Sequence, residues 1–199
     1  MKFKLETLVD FIVQSYSEKN LWILFVGTCI CAISMAIAAL LIGVGQPITG
    51  SSASIQMLDM TFDYSPEEAY EQVNAYGEQG RSVYLFTSLV LDTLFPLLYG
   101  AFMSLVLVFL LQKTKYRMLI LMPLLLVLID YLENTHLAFL IINFPEKFPN
   151  IAYWANLISL SKWTLIGLVF MTISFGFFLR NRKDFFLEVE RRRAGFYEK

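Results

Sequence analysis

Four long apolar runs, broken by short polar segments, organise this chain. The first, Leu21 to Val44, reads LWILFVGTCICAISMAIAALLIGV. The second runs from about Val83 to Leu111, the third from about Tyr116 to Ile142, and the fourth from about Ile151 to Leu179. A helix that crosses the hydrocarbon of a bilayer needs about 20 mostly apolar residues. Each run therefore predicts one transmembrane helix. The expected fold is all-α: a single membrane domain over residues 1–199, built as an integral bundle of four spans at 21–44, 83–111, 116–142 and 151–179.

The segments between the runs follow other periods. In residues 3–16, Leu5, Leu8, Val9, Ile12, Val13 and Tyr16 recur at helical spacing, opposite Lys2, Glu6, Asp10 and Gln14. That pattern predicts an amphipathic helix lying in the membrane interface. The loop 45–82 carries Asp59, Asp63, Glu67, Glu68, Glu71 and Glu78, and is expected to face outward. Within it, Ser65-Pro66-Glu67-Glu68 fits a capping box with proline at the first helical position. Ala69, Val73 and Tyr76 make an apolar stripe, and Gly77 can end the helix in the left-handed conformation. A short capping helix over 65–76 is therefore predicted. The tail 180–199 reads as a basic continuation of the last span, anchoring topology and able to meet anionic headgroups.

Basic residues set the orientation. Thirteen of the sixteen Lys and Arg fall in the N-terminal segment, the 113–117 connection or the tail. Arg81 and Lys147 lie on the other side, and Lys162 lies inside a span. Positive charge collects on the cytoplasmic side, so both termini are expected in the cytoplasm, in a cell (inner) membrane. Ala36-Ile37-Ala38 resembles a signal-peptidase site, yet about twenty polar residues precede the run and apolar sequence continues past it. An uncleaved span is expected.

Composition agrees and narrows the chemistry. The chain is 57% hydrophobic and 17% charged, with mean hydropathy +0.58, where globular domains carry about a quarter charged residues. A net charge of -1 excludes a nucleic-acid binder driven by bulk charge. One histidine and two cysteines are too few for a His/Cys zinc site, so neither metal nor cofactor is expected. Cys29 and Cys31 point about 200° apart on a helix and cannot pair within it. They read as packing thiols.

The chemistry lies in four ionisable residues inside the spans: Asp92, Asp130, Glu133 and Lys162. Each would cost about 2.5–3.5 kcal/mol at the bilayer centre if exposed to lipid, so they should face the bundle interior. At a rise of ~1.5 Å per residue, Asp92 lies ~14 Å and Lys162 ~16 Å from the outer ends of their spans, with Asn134, Glu133 and Asp130 at ~12, ~14 and ~18 Å. Three helices thus deliver polar groups to one layer, with Ser34 of the first span at similar depth. Residues 130, 133, 134 and 137 share a face. Pro96 has no amide to bond the Asp92 carbonyl, which leaves a free acceptor beside a buried acid. Three acids and one lysine would sum to -2, so a carboxyl should be protonated or a cation should fill the site. Asp92–Lys162 or Glu133–Lys162 is the expected ion pair. Arg81 or His136 would compensate from above, although His136 reads more simply as a hydrogen bonder on a helix surface.

The segments YSPEEAY (64–70), GEQGRSVY (77–84), LDTLFPLLYG (91–100) and DYLEN (130–134) resemble a family of uncharacterised four-span bacterial integral membrane proteins. The resemblance covers roughly residues 58–136. It brings no activity with it, but it implies that Arg81, Asp92, Pro96, Tyr99, Asp130, Glu133 and Asn134 are the positions to test. The leading expectation is a site that binds or transports a small molecule, a lipid, or a cation or proton, lined by Asp92, Asp130, Glu133, Asn134 and Lys162 with Arg81 and Tyr99. The same residues would suit an intramembrane enzyme acting on a lipid or isoprenoid, with Glu133 or Asp130 as general acid or base. They would also suit an accessory subunit contacting a partner's spans. Four spans without an internal repeat are few for alternating access, so a transporter would have to oligomerise.

Overall fold

The computed structural model describes residues 2–49 and 53–197, with side chains for 4–49 and 53–182. Every regular element among them is a helix. These are α1 (Lys2–Gln14), α2 (Glu18–Ile42), α3 (Pro66–Ala75), α4 (Gly77–Phe86), α5 (Asp92–Leu111), α6 (Met122–Asn143) and α7 (Pro149–Tyr197). A π-helical turn, Thr87–Leu91, joins α4 to α5, and short 3₁₀ turns occupy Leu58–Met60 and Arg117–Leu121. The basic side chains expected of the tail, Lys183 onward, lie outside the described side chains.

Four helical stretches are long and apolar enough to cross a membrane: Glu18–Ile42, Gly77–Leu111, Arg117–Asn143 and Pro149–Arg182. The second begins at Gly77 rather than Val83, because residues 77–82 join the helix instead of the preceding loop. Gly80 lies against the backbone of Ile42 at the end of α2, and Tyr84 is fully buried. Large apolar side chains remain exposed on all four stretches, among them Leu40 and Leu41 on α2, Leu89 and Leu94 on the second, Leu128 on α6 and Met171 on α7. An apolar surface of that extent suits lipid rather than water. The chain is a multi-pass membrane protein.

The packing order is simple. α2 packs on α5, α5 on α6, and α6 on α7, which also reaches α5. α5 and α6 thus form the middle of the bundle, with α2 and α7 flanking them. α1 lies across the end formed by α5 and the Arg117–Leu121 turn, burying Val9 and Ile12 against Leu105, Val108 and Ile120. Of its expected apolar stripe, Leu5 and Leu8 stay exposed, because the helix leans on the bundle by one edge only. Asp10, on the polar side, pairs with Arg117 at 2.5 Å.

At the opposite end the loop folds onto the bundle. Ser65 caps α3 as its sequence predicts: the Glu68 amide donates to Ser65 Oγ at 3.2 Å, and the Ser65 amide donates to Glu68 Oε2 at 2.7 Å. Those bonds hold the Glu68 carboxyl below its ordinary pKa. Gly77 then adopts φ 64°, a left-handed conformation that costs glycine little, and the chain turns from α3 into α4. Ala69, Tyr70, Val73 and Tyr76 of this corner are buried with Ile42, Leu137, Ile141 and Ala152. α3 therefore caps the bundle.

Candidate functional site

The site begins at a break in the second membrane helix. A π-turn and a proline disturb the ladder on either side of Asp92, so carbonyls there look outside their own helix for donors. Each of the three successive carbonyls is met by a different neighbour. The Cys31 thiol of α2 approaches the Leu91 carbonyl at 3.5 Å, Asn134 Nδ2 of α6 donates to the Asp92 carbonyl at 3.2 Å, and the Tyr131 hydroxyl of α6 donates to the Thr93 carbonyl at 2.6 Å. The acceptor that Pro96 leaves at Asp92 is thus taken by Asn134. The break places the Asp92 side chain inside the bundle, 5% exposed.

α6 supplies the opposing wall. Asp130, Glu133, Asn134 and Leu137 are all buried on one face, following their three- and four-residue spacing. Lys162 of α7 meets that face. Its ammonium donates to Glu133 Oε2 and, at 2.8 Å, to the Asp59 carbonyl, and it lies 3.6 Å from Asp130 Oδ1. Ser159, one turn earlier on α7, donates to the other Glu133 oxygen. Tyr99 of α5 donates to Asp130 Oδ2 at 2.6 Å. Glu133 is therefore bound on both oxygens with no exposed surface, and Asp130 is held between a phenol and an ammonium.

Six of the seven expected residues meet here: Asp92, Tyr99, Asp130, Glu133, Asn134 and Lys162. The ion pair forms between Lys162 and Glu133. Asp92 has no basic side chain within ion-pair distance among the described residues. Arg81 does not join the cluster. Its guanidinium donates to the Val73 carbonyl at 3.2 Å and stacks 4.7 Å from the Phe144 ring centroid, so it ties α4 to the capping corner. Ser34 donates to its own helix at the Ile30 carbonyl, and His136 bonds the Leu132 carbonyl on an exposed face of α6.

Asp59 stands apart from the other acids of the loop. It is buried to 5% exposure, with its carboxylate accepting from the Tyr84 hydroxyl at 2.5 Å. The flanking Met57 and Leu58 are buried too, and together they draw the 3₁₀ turn into the bundle. The signal was the apolar stretch IQMLDM in an otherwise acidic loop. Ser159 had no comparable signal, since a lone serine in a span is ordinary. The loop is pinned further by Asn156 of α7, which donates to Asp63 Oδ1 at 2.8 Å and accepts from the Tyr64 amide at 3.1 Å.

A cavity of about 310 Å³ opens beside the cluster. At one end stand Asp59, Asp92, Asp130 and Lys162; the walls are apolar, with Phe95 and Met103 from α5, Leu126 from α6, and Ile166 and Phe170 from α7. Thr28 and Met35 of α2 close its near side, and Met60 of the loop roofs it. The cavity thus sits in the cleft between the two flanking helices, over a floor of α5 and α6. No three His, Cys, Asp or Glu side chains among the described residues are grouped as metal ligands. Comparison of the chain with protein-family models, with curated proteins and with solved structures found no match.

Proposed function

We propose that this protein is a membrane-embedded binding protein that admits a small amphiphile from the bilayer into the cleft between α2 and α7. One observation carries the reading: a single cavity joins a charged end to apolar walls at the level of the buried acids. Its volume falls at the small end of the range for ligand sites, about 300–1,000 Å³. Polar contacts between membrane helices are worth about 0.6 kcal/mol on average. Helix pairing alone gives little reason to gather four carboxyls and a lysine beside a void. Ionisable groups in a membrane interior more often mark a ligand or ion path.

The distribution of Lys and Arg supports an orientation with both termini in the cytoplasm, in the cell (inner) membrane, and α3 on the outer side. The polar end of the cleft then lies toward the outer half of the bilayer, under the loop that carries Asp59. A ligand would enter sideways, apolar part last to leave the lipid.

The reading is tested by native mass spectrometry of protein extracted in native lipid discs, wild type beside Met103→Trp, which fills the cleft. The expected result is a defined extra mass on the wild type that the variant loses. Bare protein in both, with equal stability, sinks the proposal.

A further inference from the structure

The hydrogen bonds of the cluster leave its acids in unequal positions, and that inequality says what the cleft selects. Glu133 is occupied by Lys162 and Ser159. Asp130 is held by Tyr99 at 2.6 Å and faces Lys162. The Asp59 carboxylate accepts from Tyr84 at 2.5 Å. Asp92 remains: it lines the cavity, it is nine-tenths buried, and no basic side chain among the described residues lies within ion-pair distance of it. Asn134, whose amide nitrogen donates to the Asp92 carbonyl and also faces the Asp92 carboxyl, leaves its own Oδ1 buried without a donor close by. Among the described residues, Asp92 is thus the carboxylate of this cavity that no ammonium or hydroxyl of the protein bonds, while the Trp163 indole N–H in the same wall is likewise buried without a partner.

The remaining walls favour a particular partner. Phe95, Tyr99, Trp163 and Phe170 all line the same cavity. Aromatic faces attract organic cations, most of all ammonium groups that have shed their water. A hard divalent ion would instead require about six to eight oxygen ligands, and no three His, Cys, Asp or Glu side chains among the described residues are grouped to begin such a set. We infer, on the reading of the cleft as a ligand site, that it selects amphiphiles with an organic ammonium head, and that Asp92 is the counter-charge. The head sits against Asp92 with aromatic rings around it, and the apolar body extends along Met103, Leu126 and Ile166. Lys162 takes no part in binding; it is engaged by Glu133 and Asp130, which leaves Asp92 without a basic partner.

Two sources offer that chemistry: a free amine amphiphile dissolved in the membrane, and the ammonium headgroup of a phospholipid. The experiment uses Trp163 as a reporter within the cavity wall, in a Trp22→Phe/Trp154→Phe background that removes the two exposed tryptophans. Protein in maltoside micelles, which carry no ammonium group, is titrated with a bromoalkyl-trimethylammonium quencher and with its uncharged tert-butyl isostere of equal chain length. The expected result is saturable quenching at least tenfold tighter for the cation, with the preference falling close to onefold in Asp92→Asn. Competition by added phosphatidylethanolamine assigns the lipid headgroup as the source; its absence assigns the free amphiphile.

Equal saturable quenching by both probes in the wild-type cavity would overturn the selection for cations and leave the ligand site standing. Loss of saturable quenching for both would overturn the ligand site itself. A cation preference that survives Asp92→Asn would overturn the assignment of Asp92. The wild-type comparison needs no substitution in the cluster, so it decides the question even where Asp92→Asn fails to fold.

Discussion

Lys162 is the residue on which the buried cluster depends. It is 7% exposed, and it links α7 to Glu133 and Asp130 on α6 and to the Asp59 carbonyl in the loop. Removing one partner of a buried pair leaves an uncompensated charge, at a cost of about 3–5 kcal/mol, whereas replacing both by apolar groups is often neutral. Lys162→Met should therefore destabilise the protein by about that amount, and Lys162→Met/Glu133→Leu should recover most of the loss. Denaturant unfolding in detergent, followed by circular dichroism, measures both. A single-variant cost below about 1 kcal/mol would reduce the pair to the modest glue usual between membrane helices. Most of these partners were legible in the chain, because an ionisable residue inside an apolar run has nowhere to go but inward. The direction in which Arg81 points was not legible, since it lies at a helix end where both the cluster and the capping corner are within reach of a long side chain.

Between elements, close approach matters more than polar pairing. Gly100 of α5 faces α6 so tightly that an added methyl would overlap Val127 Cγ2 and stand 3.5 Å from the Pro123 carbonyl oxygen. Valine is stiff at χ1 and cannot swing away. Small residues at such crossings let backbones approach, and packing is the main source of helix association in lipid. Gly100→Ala should accordingly cost about 1–3 kcal/mol, the usual range for overpacking. Adding Val127→Ala should restore much of that. Thermal unfolding of the two variants in the same detergent checks it, and an unchanged melting temperature for Gly100→Ala would mean that α5 and α6 are free to separate. The same crossing aligns Asp92 and Tyr99 with Asp130 and Asn134, so loosening it would disturb the site as well as the fold. Pro96 foretold an open carbonyl at Asp92, and Asn134 fills it. The π-turn at Thr87–Leu91 carried no such sign, because TSLVL reads like any apolar stretch of helix.

On the scale of the whole molecule, the exposed apolar band and the asymmetry of basic residues make a statement about topology that can be checked directly. The two cysteines are Cys29 and Cys31, both within α2. With both replaced by alanine, Asn74→Cys on α3 should react with an impermeant maleimide in intact cells. Glu18→Cys at the start of α2 should react only after lysis. The reverse pattern would invert the orientation and place the acidic end of the cleft toward the cytoplasm. Either residue is exposed, so failure to label would not come from burial.

The sequence by itself determined the number of the membrane helices and roughly where they run, the cap at Ser65, and that Asp92, Asp130, Glu133, Asn134 and Lys162 come together in one layer. Those conclusions follow from local quantities: the length of an apolar run, the hydrogen bonds a helix end lacks, and a fixed rise per residue. Only the tertiary structure decided that Asp59 leaves the loop to join the cluster, that Lys162 chooses Glu133 over Asp92, and that a cleft remains between α2 and α7. These depend on which helices touch and on how each is rotated about its axis. In lipid nearly every face of an apolar helix is equally acceptable, so periodicity cannot single out the face that packs. Shape and a few buried polar groups make that choice.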